Sequence, residues 1–196
     1  MSKNTGKIGR ADFLKSYLFE LLESAYSAFP DELTEFAEKF PELIRPPGAI
    51  AEQEFLEKCQ RCGACIKACQ FHALRPVMQS NEFDLGTPAL RVSESYCRFC
   101  SDLPCVNACP SGALSLKNKA ALQKIAVANI VKASCLRSRG ESCLTCLEKC
   151  ANIAAAVIHP EPAKPPRIDA RKCSGCGACA VFCPAYPDNA IKLVRI

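Results

Sequence analysis

Sixteen cysteines among 196 residues fall into four groups of four, with none left over. The groups are Cys59, Cys62, Cys65 and Cys69; Cys97, Cys100, Cys105 and Cys109; Cys135, Cys143, Cys146 and Cys150; and Cys173, Cys176, Cys179 and Cys183. The first and last read C-x-x-C-x-x-C-x-x-x-C without deviation. The second widens the gap before its third cysteine, and the third places seven residues between Cys135 and Cys143. Few large apolar residues lie beside these runs, so an apolar core alone is too small to hold the chain. Disulfides fit the pattern poorly, because thiols within one run would compete for partners and close C-x-x-C spacing suits a metal. A four-cysteine zinc ribbon is the stronger rival. It needs two C-x-x-C pairs and a spacer, and has no use for a third cysteine at the same interval.

The spacing is that of an iron–sulfur run, in which a tight loop presents three thiolates to one cubane and the fourth reaches another. Four runs imply four 4Fe-4S clusters. Cluster bonds then crosslink distant loops, and the apoprotein is expected to be largely disordered. The formal charge of +5 counts cysteine as neutral. Sixteen thiolates and four oxidised cubane cores bring it to about −3. Apparent basicity is therefore no argument for nucleic acid, and the Lys and Arg residues form no aromatic-interleaved stripe. No segment approaches a membrane span. Residues 9–15 faintly echo a twin-arginine leader, without the second arginine or a continuous apolar core, so a cytoplasmic, oxygen-poor setting is expected. No Ser/His/Asp set, phosphate loop or flavin fingerprint is present, so substrate chemistry is expected on another subunit and this chain is expected not to be an enzyme. His72 and His159 are not needed as ligands.

Residues 1–50 lack cysteine. Phe13, Leu14, Tyr17, Leu18, Leu21, Leu22, Ala25 and Phe29 recur at helical intervals and predict an amphipathic arm that packs on its own body, on a partner, or on a second copy. Pro41, Pro46 and Pro47 predict an extended linker, giving a helical arm with linker over 1–50 and a four-cluster domain over 51–196. Val92, Ile130 and Ile168 each precede the first cysteine of a group by five residues, which suggests a repeated unit of strand, cluster loop, helical turn and returning strand. Repeat logic makes 114–116 and 125–130 a hairpin. Gly63, Gly112, Gly175 and Gly177 suit close approach of backbone amides to cluster sulfurs. Arg61, Lys67, Arg98 and Lys172 flank ligands, where positive charge raises a potential if it is held there rather than solvated.

The stretch Arg45-Pro46-Pro47-Gly48-Ala49-Ile50, then Glu54-Phe55, leading into Cys59-Gln60-Arg61-Cys62-Gly63-Ala64-Cys65, resembles the ferredoxin-type proteins that accompany periplasmic nitrate reductase and methylamine dehydrogenase. The four-group order is also similar to the electron-transfer subunits of molybdenum and tungsten oxidoreductases. The resemblance implies an α+β fold of two bacterial-ferredoxin-like modules with a pseudo-twofold repeat, a small cluster-stapled core and the N-terminal helical arm. It also implies nested ligation. One cubane takes Cys59, Cys62, Cys65 and Cys183, and a second takes Cys173, Cys176, Cys179 and Cys69. A third takes Cys97, Cys100, Cys105 and Cys150, and the fourth takes Cys135, Cys143, Cys146 and Cys109. Sequential pairing of group one with two and three with four, as in tandem ferredoxins, is the alternative. The implied partners are a catalytic oxidoreductase subunit, of the tungsten or molybdenum aldehyde-oxidising class by preference, and a second redox subunit such as a flavoprotein. Stacking through the N-terminal helix would extend the wire. An assembly factor for a cofactor enzyme and a zinc-bound scaffold are the competing functions.

Overall fold

In the computed structural model the described residues are 43–79, 81–158, 161 and 164–196. The amphipathic arm and the stacking expected of it lie outside them. The secondary structure is short throughout because the cysteine loops leave little room between turns. In chain order the elements are α1 (Glu52–Lys58), α2 (Ala64–Ala68), β1 (Leu74–Pro76), β2 (Pro88–Leu90), α3 (Pro104–Asn107), α4 (Lys119–Gln123) and β3 (Ala126–Ile130). A 3-10 turn over Leu136–Arg139 follows, then α5 (Thr145–Ala151), β4 (Val157–Ile158), β5 (Arg167–Ile168), α6 (Ala178–Val181) and β6 (Ile191–Arg195).

The described chain has a cysteine-rich first half and a cysteine-rich second half, each with a short antiparallel strand pair. In the second half β3 runs antiparallel to β6, from Ala126 opposite Arg195 to Ile130 opposite Ile191, and β4 pairs with β5. In the first half β1 pairs with β2, Leu74 opposite Leu90. The other pairing there is a single bridge between Ala49 and Leu114, supported by Ile50 N–H to Ala113 O at 3.2 Å and Ser115 N–H to Gly48 O at 2.7 Å. The expected hairpin of 114–116 with 125–130 does not form. Asn118 caps α4 by accepting from Ala121 N–H, and that helix carries the chain from one half to the other. Leu114 is thereby freed to face Ala49, and residues 126–130 to face the C-terminal strand.

Residues 44–50, expected as linker, belong to the body. Pro46 and Pro47 are fully buried, Ile44 lies in the core with Leu74, Leu90 and Ile125, and the compact unit begins at Glu42. Proline suits a segment whose amide is not used in a ladder. Arg45 explains the rest. Its side chain is 4 % exposed and is surrounded by acceptors from two segments, α1 and the 84–88 turn. Nη2 reaches Glu52 Oε1 at 2.6 Å and Asp84 Oδ1 at 2.7 Å, and Nη1 reaches Thr87 Oγ1 at 2.8 Å and Pro88 O at 3.2 Å. The guanidinium also stacks 4.8 Å from the centroid of the buried Phe55 ring. Glu52 in turn holds Arg195 of β6 at 2.8 Å, so this one buried charge ties the 44–50 segment, α1, the 84–88 turn and, through Glu52, the last strand.

The halves meet closely. Ile125 N–H donates to Ser174 O at 3.0 Å and Cys97 N–H to Cys176 O at 2.9 Å. A Cβ on Gly175 would stand 2.4 Å from Ala126 N, and Gly175 has φ +77°, so only glycine fits at this junction.

Because the substitution removes a buried cation from between the Asp84 and Glu52 carboxylates, Arg45→Met is expected to lower unfolding stability by about 3–5 kcal/mol, measured by anaerobic denaturant unfolding of the iron-loaded protein. A change within about 0.5 kcal/mol, the range of ordinary surface substitutions, would show that the charge is not a structural hub.

Candidate iron-sulfur centres

Each of the helices α2, α3, α5 and α6 carries the third cysteine of a run near its start and delivers the fourth at or just beyond its end. In α2, Cys65 lies in the first turn and Cys69 follows the last; Cys105 and Cys109 stand likewise on α3, Cys146 and Cys150 on α5, and Cys179 and Cys183 on α6. One helix therefore sends its two sulfurs to two different places. Which places depends on which helices touch. The packed pairs are α2 with α3 and α5 with α6.

Four cavities result, each lined by four cysteines. Site I is lined by Cys59, Cys62, Cys65 and Cys109, and site II by Cys97, Cys100, Cys105 and Cys69. Site III is lined by Cys173, Cys176, Cys179 and Cys150, and site IV by Cys135, Cys143, Cys146 and Cys183. This corrects the nested sets. Cys183 is not beside Cys59, Cys62 and Cys65; Cys69 is not beside Cys173, Cys176 and Cys179; and Cys150 and Cys109 do not exchange between groups two and three. The fourth sulfurs instead swap between sequence-adjacent groups, because a five- or seven-residue helix can reach only the site of the helix packed against it.

The void space at sites I, II, III and IV, mouths included, is ≈ 320, 400, 340 and 360 Å³. Four near-equal, cysteine-ringed voids suit the same group four times. Among the described residues no three His, Cys, Asp or Glu side chains close on a point as one mononuclear ion requires. The donor set also explains why a cationic core belongs there. Burial, then the neighbouring sulfurs of Cys109 and Cys59, pushes the Cys65 thiol up to about 12. Burial likewise raises Cys97 and Cys179 to about 12, and Cys105 and Cys146 to about 11. Thiolates so placed need compensating positive charge. The fit to a 4Fe-4S cubane at each site is therefore chemical as well as steric.

Hydrogen bonds to the sulfurs differ among sites. Leu114 N–H donates to Cys109 Sγ at site I, Phe99 N–H to Cys97 Sγ at site II, and Ala128 and Ala156 N–H to Cys173 and Cys150 Sγ at site III, each at 3.4 Å. Ser111 Oγ stands 3.6 Å from Cys109 Sγ and accepts from Ala113 N–H at 3.4 Å, which leaves its own proton for the sulfur. Burial alone would raise the Cys109 thiol, but the hydrogen bonds from Leu114 and Ser111 outweigh it and the net direction is downward. Thr145 Oγ1 stands 3.8 Å from Cys143 Sγ at site IV. The legible sequence signal was a hydroxyl two residues after a cysteine, in Cys109-Pro110-Ser111 and Cys143-Leu144-Thr145.

Exposure is graded. All four sulfur-bearing residues of site III are buried, those of sites II and IV are half-buried, and Cys62 of site I is exposed. The seven-residue insertion before Cys143 is built rather than loose. Its 3-10 turn ends at Gly140, and Arg137 Nε donates to Lys164 O at 2.8 Å. No helix among the described residues is long and apolar enough to cross a membrane.

If the Ser111 hydroxyl stabilises the reduced, more negative state, Ser111→Ala should lower the site I midpoint by ~40 mV, the equivalent of about 1 kcal/mol for one hydrogen bond. Iron content should not change. An unmoved set of midpoints in a spectroscopically monitored potentiometric titration would contradict this.

The 4Fe-4S dicluster domain family matches residues 58–113, which is the first half, and the 4Fe-4S binding domain family matches residues 166–186 in the second. The methylamine utilization ferredoxin-type protein MauM of Methylobacillus flagellatus is 36 % identical over 161 residues, covering 78 % of this chain and 68 % of that protein. Ferredoxin-type protein NapG of Escherichia coli is 32 % identical over 165 residues, covering 78 % and 71 %. Ferredoxin-type protein NapF of the same organism is 31 % identical over 143 residues, covering 72 % and 80 %. No solved structure matches the chain. Sixteen cysteines in 4Fe-4S domains, ringed as four voids, are an electron carrier's equipment for four clusters, and the chain belongs to the ferredoxin-type 4Fe-4S proteins.

Proposed function

We propose that the chain is the electron-transfer subunit of a multi-subunit oxidoreductase and that its four sites act in the linear order I, II, III, IV. A 4Fe-4S cluster, when bound, accepts and releases one electron at each site. The protein supplies the order. Helices α2 and α3 hold sites I and II together by swapping Cys69 and Cys109, and α5 and α6 hold III and IV together by swapping Cys150 and Cys183.

The observation that carries the proposal is the bond from Cys97 N–H to Cys176 O, 2.9 Å, which joins a ligand of site II directly to a ligand of site III. It acts beside the Ile125 N–H to Ser174 O bond at 3.0 Å, which also joins the halves. Graded exposure supports the same order, with site III buried within the chain and site I bearing the exposed Cys62. The short antiparallel strand pair in each half supports a pseudo-twofold relation between paired sites. The partner class favoured by the four-group order is a molybdenum- or tungsten-dependent oxidoreductase at one end, with a second redox subunit such as a flavoprotein at the other.

The test uses the complex purified anaerobically from its native host. Electron flow from reduced oxidoreductase to an external acceptor should require this subunit. It should fall more than about 100-fold in Cys176→Ala, which strips a ligand from the buried site III, while the complex stays assembled on size exclusion and sites I and II remain reducible. Flow at the parental rate through that variant would rule out the linear order. An oxidoreductase that keeps full acceptor activity without the subunit, yet loses its own cofactor during maturation, would establish the assembly-factor reading instead.

A further inference from the structure

Arg98 is held over site II by a clamp of aromatic rings. Its guanidinium carbon lies 3.8 Å from the centroid of the Tyr96 ring and 5.0 Å from that of Phe71, and Nη1 contacts the Tyr96 hydroxyl. Arg98 and Phe71 both line the site II cavity beside Cys69, Cys97, Cys100 and Cys105. The clamp is braced from the other half of the chain, where Phe182 meets Tyr96 edge-on at 5.9 Å and is itself covered by Lys149 Nζ at 4.5 Å. Among the cations that flank ligands in sequence, this arrangement is particular. Arg61, at site I, directs its guanidinium to the carbonyls of Leu85, Phe83 and Cys59. Lys67 and Lys172 line none of the four cavities.

An exposed arginine on a free side chain is screened and spends little time near any one place. Two ring faces remove that freedom and hold the charge at the cavity mouth, because a planar cation stacks on aromatic faces where an ammonium does not. A fixed positive charge there stabilises the additional negative charge that site II acquires on reduction. We infer that Arg98, positioned by Phe71 and Tyr96, raises the reduction potential of site II and so sets where an electron resides beside the junction with site III. This rests on the reading that the site II cysteines hold a 4Fe-4S cluster.

The test is a potentiometric titration of the anaerobic, iron-loaded full chain, followed by low-temperature electron paramagnetic resonance. Cys100→Ser, which displaces or deletes one wave, identifies site II. In Arg98→Gln the site II reduction equilibrium is expected to fall about tenfold, ~59 mV for one electron, with the other three waves and the iron content unchanged. Arg98→Lys should recover only part of the shift. Tyr96→Leu should lower the same wave with the arginine still present, because the guanidinium is released to solvent. Should Arg98→Gln load less iron than the parent, the Tyr96→Leu and Arg98→Lys proteins decide the matter. A site II wave that stays at the parental midpoint in the loaded variants, or an equal shift of all four waves, overturns the inference. A parent protein with no reducible waves and no acid-labile sulfide would instead overturn the cluster reading on which it rests.

Discussion

Everything in this molecule depends on the reach of a short helix. Each of α2, α3, α5 and α6 has one cysteine near its start and another at or just past its end, and the two sulfurs serve different sites. Packing α2 on α3 and α5 on α6 turns that local fact into two reciprocal pairs of sites. The same exchange crosslinks the chain. Site II fastens Cys69 to residues 97–105, and site III fastens Cys150 to residues 173–179. The three two-stranded sheets among the described residues are too small to supply comparable crosslinks, so cluster-bound cysteines would act as staples as well as ligands.

The electrostatics follow from the same compactness. Burial raises the thiols of Cys65, Cys97 and Cys179, and neighbouring sulfurs in the same void raise them further. The chain answers with amide and hydroxyl donors aimed at particular sulfurs: Leu114 and Ser111 at Cys109, Ala128 at Cys173, and Ala156 at Cys150. These donors come from residues just beyond a helix or from a strand, so the strands serve the sites as well as the fold. The junction of the halves has the same economy, since the segment Ser174–Cys176 both lines site III and bonds to the first half through Ser174 O and Cys176 O.

Much of the site was legible in the residue order. The grouping of sixteen cysteines needs only counting, and Val92, Ile130 and Ile168 each stand five residues before groups two, three and four. The pairing of groups was not legible, because spacing within a run says that the fourth cysteine leaves its own site without saying which site it enters. That choice is made by helix–helix contact. Residues 44–50 misled for a related reason. Consecutive prolines read as a linker, yet Pro46 and Pro47 are buried in a segment held by Arg45, whose partners Asp84 and Thr87 lie about forty residues away in sequence. The 114–130 hairpin failed because Leu114 and residues 126–130 each take a partner from the far end of their own half. Ring clamps such as Phe71–Arg98–Tyr96 are likewise invisible until the fold brings their members together.

The reciprocal exchange of fourth cysteines is tested most directly by crystallography of the iron-loaded protein, with anomalous differences recorded at the iron edge. We expect four separate iron groups, with Cys69 Sγ bound to the group that Cys97, Cys100 and Cys105 hold, and Cys150 Sγ to the group held by Cys173, Cys176 and Cys179. Density joining Cys69 to the group of Cys173, Cys176 and Cys179, or iron at fewer than four sites in fully reconstituted crystals, would contradict it.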